Sequence, residues 1–335
     1  MVGIATMLQD RHDPALPSVF HVVGQHGWQD YYQRSASALK GVANVYEVVV
    51  QYVSALEQLV EDTKPPALFI NHAFCVDASE WVDLCKRHPI HRFVAVNHCS
   101  PNHAVRWVST FAKSAEVLDA CRLLDNLYYA TTDRHVNWAE LGYPKGRILH
   151  NPIRLVDPPE ISDVNPPLVA IVGRDDWEKG FASQIIAMKI ISKYRPDVRF
   201  AEIVGFKPPN WYGFTLLKTL SLPFESIPWG DTDQWYENLR TGISVVMQCS
   251  LAESFNLVSI DAAMYFRPFI GSFSISHTPE LWRANPSDPS DIARRTLYIL
   301  ENYQENQKLA RELAETVAEE QNDLYRGVIQ ELLHG

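Results

Sequence analysis

The sequence predicts an α/β protein with two Rossmann-like halves, each built around a parallel sheet. Short apolar runs alternate with helix-like segments along most of the 335 residues, and a proline-rich stretch interrupts this alternation near the middle. Runs that are apolar at every position are typical of strands buried on both faces of a parallel sheet. Their alternation with helices indicates βαβ units, and a chain of this length favours two domains over one.

The first half begins with a β-branched and aromatic run at 18–23, which predicts a strand ending at Gly24. Residues 28–39 and 79–87 have helical patterns. The other strands predicted in this half are 67–71, 92–97, 127–131 and 147–150. Strands and helices taking turns in this way predict one Rossmann-like domain.

The middle of the chain predicts an interdomain hinge. Residues 151–167 contain five prolines in seventeen positions. Proline lacks a backbone donor and is not tolerated inside helices, so this stretch favours an extended linker. We therefore expect an N-terminal domain over 1–155, a hinge over 156–167 and a C-terminal domain over 168–310, followed by a C-terminal segment over 311–335.

The second half repeats the alternation. A buried strand is predicted at 168–173 and a helix at 181–194, and residues 291–334 have a mostly helical, charged pattern. The remaining predicted strands are 199–205, 244–247 and 268–271. This half therefore predicts a second parallel sheet.

Composition narrows the class of protein. A formal net charge of -10 argues against a protein that coats nucleic acid, because phosphate neutralisation needs clustered Lys and Arg. No secretory signal and no apolar run of membrane-spanning length is found, so we expect a cytoplasmic protein without membrane insertion. The five cysteines are irregularly spaced, which predicts reduced thiols and no structural metal site. The sequence does not fix the oligomeric state.

The loop that follows the strand 168–173 carries the first candidate site, because ligands of open parallel sheets bind beyond the carboxyl ends of the strands. Gly173 ends the strand, and Arg174 and Lys179 follow before the next helix. Glycine lets the backbone approach a ligand, arginine can hold two phosphate oxygens, and lysine adds a mobile positive charge. The alternative for this loop alone is an ordinary solvated surface.

The stretch AESFNLVSID, residues 252–261, carries the second candidate site. Glu253 and Asp261 flank a short apolar run, a spacing that fits either an acid/base pair or two ligand contacts. The backbone N–H groups of residues 254–257 would lie at a helix start and form an anion site. Trp229, next to a glycine, would line a pocket for a planar base, with plain core packing as its alternative.

Four motifs in the second half occur in a recognisable order. They are Val172–Gly173–Arg174 with Lys179–Gly180, then Ile203–Val204–Gly205, then Trp229–Gly230–Asp231, then Glu253–Leu257 continuing through Asp261–Met264 to Pro268–Ile270. Their order and spacing resemble the C-terminal domain of retaining glycosyltransferases of the GT-B fold, family 4 type. In the first half, Leu149–Pro152 and Ala95–His98 resemble further segments of that family. The resemblance implies two Rossmann-like domains that face each other across a cleft.

The resemblance also implies a function: transfer of a hexose from a nucleotide-diphosphate sugar, with a UDP-sugar favoured, to a hydroxyl acceptor. It implies retention of anomeric configuration and no requirement for a metal ion or other cofactor. The first domain would select the acceptor and the second would bind the nucleotide sugar. The segment 311–335 would pack back on the first domain, as is common in this fold.

Site residues follow from the same resemblance. Arg174 and Lys179 would hold the diphosphate and stabilise the departing nucleotide, and Glu253 would accept hydrogen bonds from the sugar hydroxyls. Asp261 would bind the ribose, and His98 would contact the sugar or its reacting centre, with a structural role as its alternative. The remaining donor-binding residues would be Gly24, Gln25, Gly173, Trp229, Ser254, Phe255, Asn256 and Leu257.

Four positions depart from the family pattern. Asn256 replaces a glycine, and we expect the turn to survive because asparagine tolerates positive φ. Phe266 and Arg267 replace a glycine-containing pair, which predicts altered packing under the site. Asp261 replaces a glutamate and is one methylene shorter, which puts the ribose contact in question.

Several other functions are compatible with the sequence. The two carboxylates also fit a glycoside hydrolase, although the cationic loop beside them favours a phosphate-bearing donor. An epimerase or phosphorylase on the same fold and a protein that only binds nucleotide sugar are further alternatives. The acceptor is not identified: a saccharide, a small molecule and a modified DNA base are all compatible. Binding to a panel of UDP, GDP and ADP sugars would separate these classes.

Overall fold

A computed structural model describes most of the chain, and it divides into two compact units. The first comprises Met1–Arg154 and Ala318–Gly335, and the second comprises Leu155–Val317. The described residues are 5–9, 12–23, 29–50, 52–98, 108–132, 143, 145–157, 160, 164–173, 177–204, 212–228, 230 and 232–334.

The first unit contains a seven-stranded sheet in the order β1-β3-β2-β4-β5-β6-β7. Its strands are β1 (Ala5–Met7), β2 (Ser18–Val23), β3 (Asn44–Val49), β4 (Ala67–His72), β5 (Arg92–Asn97), β6 (Leu127–Thr131) and β7 (Gly146–Ile148). All neighbours are parallel except β1, which pairs antiparallel with β3 at the edge. Strand order reverses at β2, which lies between β3 and β4, so the switch point of this sheet is at β2.

Helices cover both faces of this sheet. They are α1 (Gln29–Ala38), α2 (Val53–Asp62), α3 (Ala78–Arg87), α4 (Val108–Cys121) and the C-terminal half of α10 (Tyr303–His334). On one face, the rings of Phe20, Phe69 and Phe93 stack across three strands with centroids 4.7 and 5.5 Å apart. On the other face, Tyr325 and Ile329 of α10 join the core of β2, β4 and β5.

The second unit contains a five-stranded, fully parallel sheet in the order β10-β9-β8-β11-β12. Its strands are β8 (Leu168–Gly173), β9 (Arg199–Val204), β10 (Glu225–Pro228), β11 (Val245–Gln248) and β12 (Phe269–Gly271). From β8 the chain first adds β9 and β10 on one side, and it then returns to add β11 and β12 on the other side of β8. The switch point of this sheet therefore lies between β8 and β11, where the loops after these strands diverge.

The helices of this unit are α5 (Phe181–Tyr194), α6 (Tyr212–Thr219), α7 (Thr232–Thr241), α8 (Leu257–Met264), α9 (Pro289–Glu301) and the N-terminal half of α10. Helix α9 has a strong start, since the Asp288 side chain accepts from the amides of Ser290 and Asp291, and proline occupies the first turn. A short 3₁₀ turn, Trp177–Lys179, precedes α5 and brings its last residue toward the switch point.

A buried arginine follows the turn after α8. Phe266 has φ 58°, and the next residue, Arg267, is only 1% exposed. The guanidinium donates to the carbonyl oxygens of Leu239 and Arg240 at 2.7 and 2.8 Å, and to the Tyr303 hydroxyl at 3.1 Å. It thereby satisfies the last carbonyls of α7, which have no intrahelical donor.

Most predicted elements coincide with observed strands and helices. Two strands, β1 and β3, were not predicted from the sequence, and β10 was predicted only as a strand end next to Trp229. Strand β1 has only three residues at a sheet edge, and β10 has only four, three of them polar or proline. In β3, Asn44 and Glu47 interrupt the apolar run that is typical of a buried strand.

The contacts of Arg267 predict a large stability effect. Arg267→Met keeps the volume but leaves the carbonyl oxygens of Leu239 and Arg240 without their donor, so we expect the free energy of unfolding to fall by about 2–4 kcal/mol. Urea denaturation followed by far-UV circular dichroism measures this. Arg240→Met is the matched control, because Arg240 pairs at the surface with Glu237 and its loss should leave stability nearly unchanged. Equal effects of the two substitutions would contradict the assigned role.

Candidate functional site

The loops after β8 and β11 come together at the switch point of the second unit. Gly173 ends β8 with φ 132°, a conformation that favours glycine. The Gln248 amide at the end of β11 donates to the carbonyl oxygen of Val172. The two strand ends are thus joined by a side chain as well as by the sheet.

Main-chain contacts hold the Lys179 loop against the loop after β11. The Leu251 amide donates to the carbonyl oxygen of Glu178 at 2.6 Å. Gly180 has φ 64°, and a Cβ at this position would lie 2.7 Å from the carbonyl oxygen of Cys249. Only glycine combines this backbone conformation with so close an approach, so Gly180 fixes where Lys179 can point.

Lys179 and Glu253 form an ion pair at this junction. The Lys179 Nζ donates to Glu253 Oε1 at 2.5 Å, and the two side chains are only 15% and 7% exposed. The same oxygen accepts from Ser250 Oγ at 2.8 Å and from Asn256 Nδ2 at 3.0 Å. A buried charge needs an opposite charge and hydrogen bonds to offset its loss of hydration, and Lys179 and Glu253 supply these to each other.

The hydrogen bonding of this pair is incomplete on both sides. All three donors converge on Oε1 of Glu253, and none of the described residues donates to its Oε2. An ammonium has three N–H donors, and within the described part of the chain the Lys179 ammonium donates only to Glu253. Among these residues, Glu253 Oε2 therefore has no hydrogen-bond donor, and two of the Lys179 N–H groups have no acceptor.

The turn at Asn256 does not use the positive φ that asparagine tolerates. Its φ and ψ are -95° and 98°, in the extended region, and its side chain serves as the N-cap of α8. Oδ1 accepts from the Ser259 amide at 2.9 Å, while Nδ2 donates to Glu253 Oε1 and, at 2.9 Å, to Gln248 Oε1. Asparagine replaces glycine here because one side chain both caps the helix and holds the carboxylate.

Ser254, Phe255 and Leu257 lie between Glu253 and the body of α8, and all three are half-buried. The Phe255 ring lies against His277, with centroids 5.0 Å apart, and His277 Nε2 is 2.7 Å from Ser259 Oγ. Leu257 is the first residue of the helix, so its amide points out of the first turn, as helix geometry requires.

Asp261 lies in the second turn of α8 and is 5% exposed. Its Oδ2 accepts a hydrogen bond from Trp235 Nε1 of α7 at 3.2 Å. Burial, and after it the charge of Asp261, raises the pKa of the Tyr265 phenol. Asp261 thus participates in packing α8 against α7.

Four of the predicted site residues lie outside the described residues: Arg174, Gly24, Gln25 and Trp229. Within the described part of the chain, the predictions Gly173, Lys179, Glu253, Ser254, Phe255, Asn256, Leu257 and Asp261 all fall in the second unit. The remaining prediction, His98, belongs to the first unit.

His98 follows β5 and ends a row of three histidines. Nδ1 of His72 is 2.8 Å from His98 Nε2, and Nε2 of His72 is 2.8 Å from His21 Nδ1. Burial lowers the pKa of His21 to about 3 and that of His98 to about 4, and burial with the neighbouring imidazoles holds the pKa of His72 well below its usual value. All three rings are therefore neutral at pH 7.

The sequence analysis missed His21 and His72. Both lie in apolar runs, FHVV and FINH, and a histidine inside such a run gives no local sign of a role. The usable signal was register: a histidine directly follows each of the predicted strands 67–71 and 92–97, and neighbouring parallel strands place such positions together.

Two further observations concern metal ions and membranes. Among the described residues, ligand atoms of Glu57, Glu61 and His88 lie within 4.8 Å of one another on α2 and after α3. Glu57 is already ion-paired with Arg87 at 2.6 Å, so this group supports no metal site. No helix in the described ranges combines the length and apolar character needed to span a membrane.

Comparisons with known proteins identify the fold. No protein-family model matches the chain, and no curated protein sequence matches it. Solved structures do match: a UDP-forming α,α-trehalose-phosphate synthase from Burkholderia xenovorans is 11% identical with a TM-score of 0.65, covering 96% of this chain and 99% of that one. A glycosyltransferase from Rickettsia africae is 12% identical with a TM-score of 0.65, covering 96% and 100%.

A third structure, of TarM, is 14% identical with a TM-score of 0.65, covering 84% of this chain and 57% of that chain. These similarities show that the chain has the GT-B fold, with two Rossmann-like domains. Sequence identities this low establish the fold but not the function. Membership of family 4 stays a prediction.

The two roles of Asn256 can be separated by substitution. Asn256→Asp keeps the capping oxygen but replaces the Nδ2 donor with an anion beside Glu253, so we expect stability at pH 7 to fall by about 1–3 kcal/mol. Repulsion raises the folded-state pKa of the new carboxyl pair above its unfolded value, so the loss should shrink as pH falls toward 5. Urea denaturation at pH 7 and pH 5 measures this. A loss that is unchanged at pH 5 would contradict the contact with Glu253.

The neutral histidine row predicts a loss of stability in mild acid. The unfolded chain binds protons below pH about 6.5, whereas folded His21 and His72 do not, so stability falls as pH is lowered from about 6.5 toward 4. Each of the two contributes up to about 1.4 kcal/mol per pH unit in this window. Denaturation midpoints of the wild type and His72→Gln between pH 7 and 5 test this. The prediction fails if both proteins have the same slope.

Proposed function

We propose that this protein is a glycosyltransferase that moves a hexose from a nucleotide-diphosphate sugar to a hydroxyl acceptor, with retention of anomeric configuration and without a metal ion. The observation that carries the proposal is the ion pair of Lys179 and Glu253 at the switch point, with bonding capacity left on both partners. The GT-B fold and the printed names of structural neighbours, which include UDP-forming synthases, support it.

The pair suits a ligand that is anionic at one end and rich in hydroxyl groups at the other. Two N–H groups of the Lys179 ammonium are available for phosphate oxygens, and Glu253 Oε2 is available for sugar hydroxyls. Hydrogen bonds in which one partner is charged are about twice as strong as neutral ones. A nucleotide-diphosphate sugar carries both kinds of group next to each other, at the bond that is broken in transfer.

The chemistry places new negative charge on the leaving phosphate. The bond from the anomeric carbon to the phosphate oxygen breaks and its electron pair stays on that oxygen. The acceptor oxygen bonds to the anomeric carbon, and the hydroxyl proton that it loses passes to the departing phosphate. Lys179 would stabilise the charge as it develops, which lowers the barrier selectively. The resemblance implies that Arg174, which lies outside the described residues, also stabilises the leaving phosphate. Two fixed cations would then replace a divalent metal ion.

The remaining donor contacts are part of the proposal. Ser254, Phe255, Asn256 and Leu257 would present the α8 N-terminus to the diphosphate, since this end of a helix favours anions. Asp261, whose Oδ2 accepts from Trp235, would bind the ribose on the resemblance. UDP is the favoured nucleotide because the trehalose-phosphate synthase among the neighbours is named as UDP-forming.

The first unit would contribute His98, in contact with the sugar or its reacting centre, and it would select the acceptor. Gly24 and Gln25 would approach the donor on the resemblance. A cytoplasmic location is also proposed, because Cys75, Cys85, Cys121 and Cys249 are free thiols, as expected in a reducing compartment.

The proposal is tested by nucleotide binding and by donor turnover. Calorimetry with UDP, GDP, ADP and their glucose conjugates should find one nucleotide that binds. Lys179→Met should weaken the binding of both the free nucleotide and the nucleotide sugar. It should also lower the rate at which nucleotide is released by turnover about 10²–10³-fold, because a preorganised charge is lost. Glu253→Gln should weaken the binding of the nucleotide sugar but leave the binding of the free nucleotide nearly unchanged.

Lys193→Met is the control, since Lys193 is an exposed lysine in the last turn of α5. Following the anomeric proton by NMR during turnover establishes whether configuration is retained. If the wild type binds none of the nucleotides, or if Lys179→Met turns over at the rate of Lys193→Met, the proposal is wrong.

A further inference from the structure

Two buried glutamine side chains connect the loop after β8 with the loop after β11. The first is Gln184, the fourth residue of α5. Its Nε2 donates to the carbonyl oxygen of Lys179 at 2.7 Å, and its Oε1 accepts from the Cys249 amide at 3.2 Å. A carbonyl oxygen can only accept and a main-chain N–H can only donate, so these two partners fix which end of the side-chain amide is the nitrogen.

The second is Gln248, the last residue of β11. Its Nε2 donates to the carbonyl oxygen of Val172, and its Oε1 accepts from Asn256 Nδ2 at 2.9 Å. Main-chain groups fix this orientation as well. The Ser259 amide donates to Asn256 Oδ1, which leaves Asn256 Nδ2 to donate to Gln248 and to Glu253.

Packing alone does not account for these two residues, which we call the glutamine clamp. Gln184 is 1% exposed and Gln248 is 3% exposed. The other buried residues of α5 and the other three residues of β11 are all apolar. A methionine would fill the same space as either glutamine, and the cost of burying an amide is largely offset, not exceeded, by its hydrogen bonds. What the two amides add is a connection between two loops.

Contacts on either side of Lys179 complete this connection. The Leu251 amide donates to the carbonyl oxygen of Glu178 at 2.6 Å, and Gly180 approaches the loop after β11 too closely for a Cβ. With the bond from Gln184, three consecutive residues are held against that loop. The main chain at Lys179 therefore has little freedom relative to the loop after β11.

The Lys179 side chain depends on this restraint. Lysine is flexible, and fixing its ammonium against one carboxylate oxygen costs rotamer entropy. Movement of the loop would lengthen the contact of 2.5 Å between Lys179 Nζ and Glu253 Oε1. On the other side, Gln248 holds Asn256, which donates to the same oxygen at 3.0 Å. The clamp thus supports both partners of the ion pair.

We propose that Gln184 and Gln248 are positioning residues that keep Lys179 and Glu253 at a fixed spacing before any ligand binds. The proposal rests on the proposed function, in which the cation binds the diphosphate and the carboxylate binds the sugar. Groups that are already in place need no rearrangement when charge develops on the leaving phosphate. The glutamines act through these two side chains and not by contact with the ligand.

The ammonium group of Lys179 reports the spacing without any ligand. Ammonium protons of an exposed lysine exchange with water too fast to be seen by NMR, whereas those of a buried ion pair give a ¹⁵N–¹H signal at low temperature. Lys179→Met assigns this signal by its loss. We expect the signal in the wild type and its loss or displacement in Gln184→Met. Absence of the signal from the wild type, or an unchanged signal in Gln184→Met, would overturn the proposal.

Hydrogen exchange of the wild type tests the clamp without a substitution. The amides of Cys249 and Leu251 donate across the two loops, and the Val246 amide donates to the carbonyl oxygen of Pro268 within the sheet. If the loops are held together, the first two amides should exchange only through global unfolding, as a core amide does. Exchange of Cys249 and Leu251 through local opening, much faster than that of Val246, would contradict the clamp.

Asn306→Leu is the matched control. Asn306 is a buried amide in the same unit, 2% exposed, and it lies outside both loops. Its Oδ1 accepts from Trp282 Nε1 at 2.6 Å, and its Nδ2 donates to the carbonyl oxygen of Asn302 at 2.8 Å. The substitution removes a comparable pair of hydrogen bonds and should leave the Lys179 signal unchanged. A loss equal to that in Gln184→Met would show a general effect of destabilisation and overturn the proposal.

Binding in solution gives the functional readout, and the two glutamines should differ in their effects. Gln184→Met should weaken the binding of both the free nucleotide and the nucleotide sugar about 5–20-fold, because the displaced Lys179 no longer meets the diphosphate. Gln248→Met should weaken the binding of the nucleotide sugar about 2–5-fold and leave that of the free nucleotide nearly unchanged, because it acts on the carboxylate. Equal effects of the two substitutions on both ligands would overturn the proposal.

The outcomes distinguish this proposal from the proposed function. A wild type that binds no nucleotide refutes the function, and the ammonium signal still decides whether the clamp sets the spacing. Normal nucleotide binding in a Gln184→Met protein that has lost the ammonium signal refutes the role of the clamp and leaves the function standing.

Discussion

The carboxylate of Glu253 is the constraint on which the second unit's site depends. An anion that is 7% exposed must be neutralised and hydrogen-bonded, and Lys179, Ser250 and Asn256 meet this requirement at one of its two oxygens. Gly180 and the hydrogen bond from the Leu251 amide to the Glu178 carbonyl hold the Lys179 loop close enough for Lys179 to contact Glu253. Buried ion pairs contribute little to stability compared with apolar packing, so one with unused bonding capacity at a switch point indicates a ligand site.

Both units place polar groups at the same position of the parallel sheet. In the second unit, the loops after β8 and β11 carry the ion pair, and in the first, the ends of β2, β4 and β5 carry the histidines. The two solutions differ in charge. The second unit holds a compensated ion pair, whereas the first holds neutral rings whose burial disfavours protonation.

Sequence reasoning was strongest where a pattern is local. The strand 168–173, the helix 181–194 and the loop residues Lys179 and Glu253 could be predicted because apolar runs and motif order need no knowledge of tertiary contacts. Asn256 was assigned its conformation from propensity, and the cap bond to Ser259 with the contact to Glu253 overrode that propensity. The row of His21, His72 and His98 depends on strand register across three strands, which no local pattern contains.

We propose that Lys179 and Glu253 bind the two sides of the bond between sugar and diphosphate in a nucleotide-diphosphate sugar. The decisive measurement is a crystal structure with UDP-glucose, or with whichever nucleotide sugar binds in solution. We expect the diphosphate within hydrogen-bond distance of Lys179 Nζ and a sugar hydroxyl on Glu253 Oε2. A nucleotide bound elsewhere, with the ion pair and its free oxygen untouched, would contradict it.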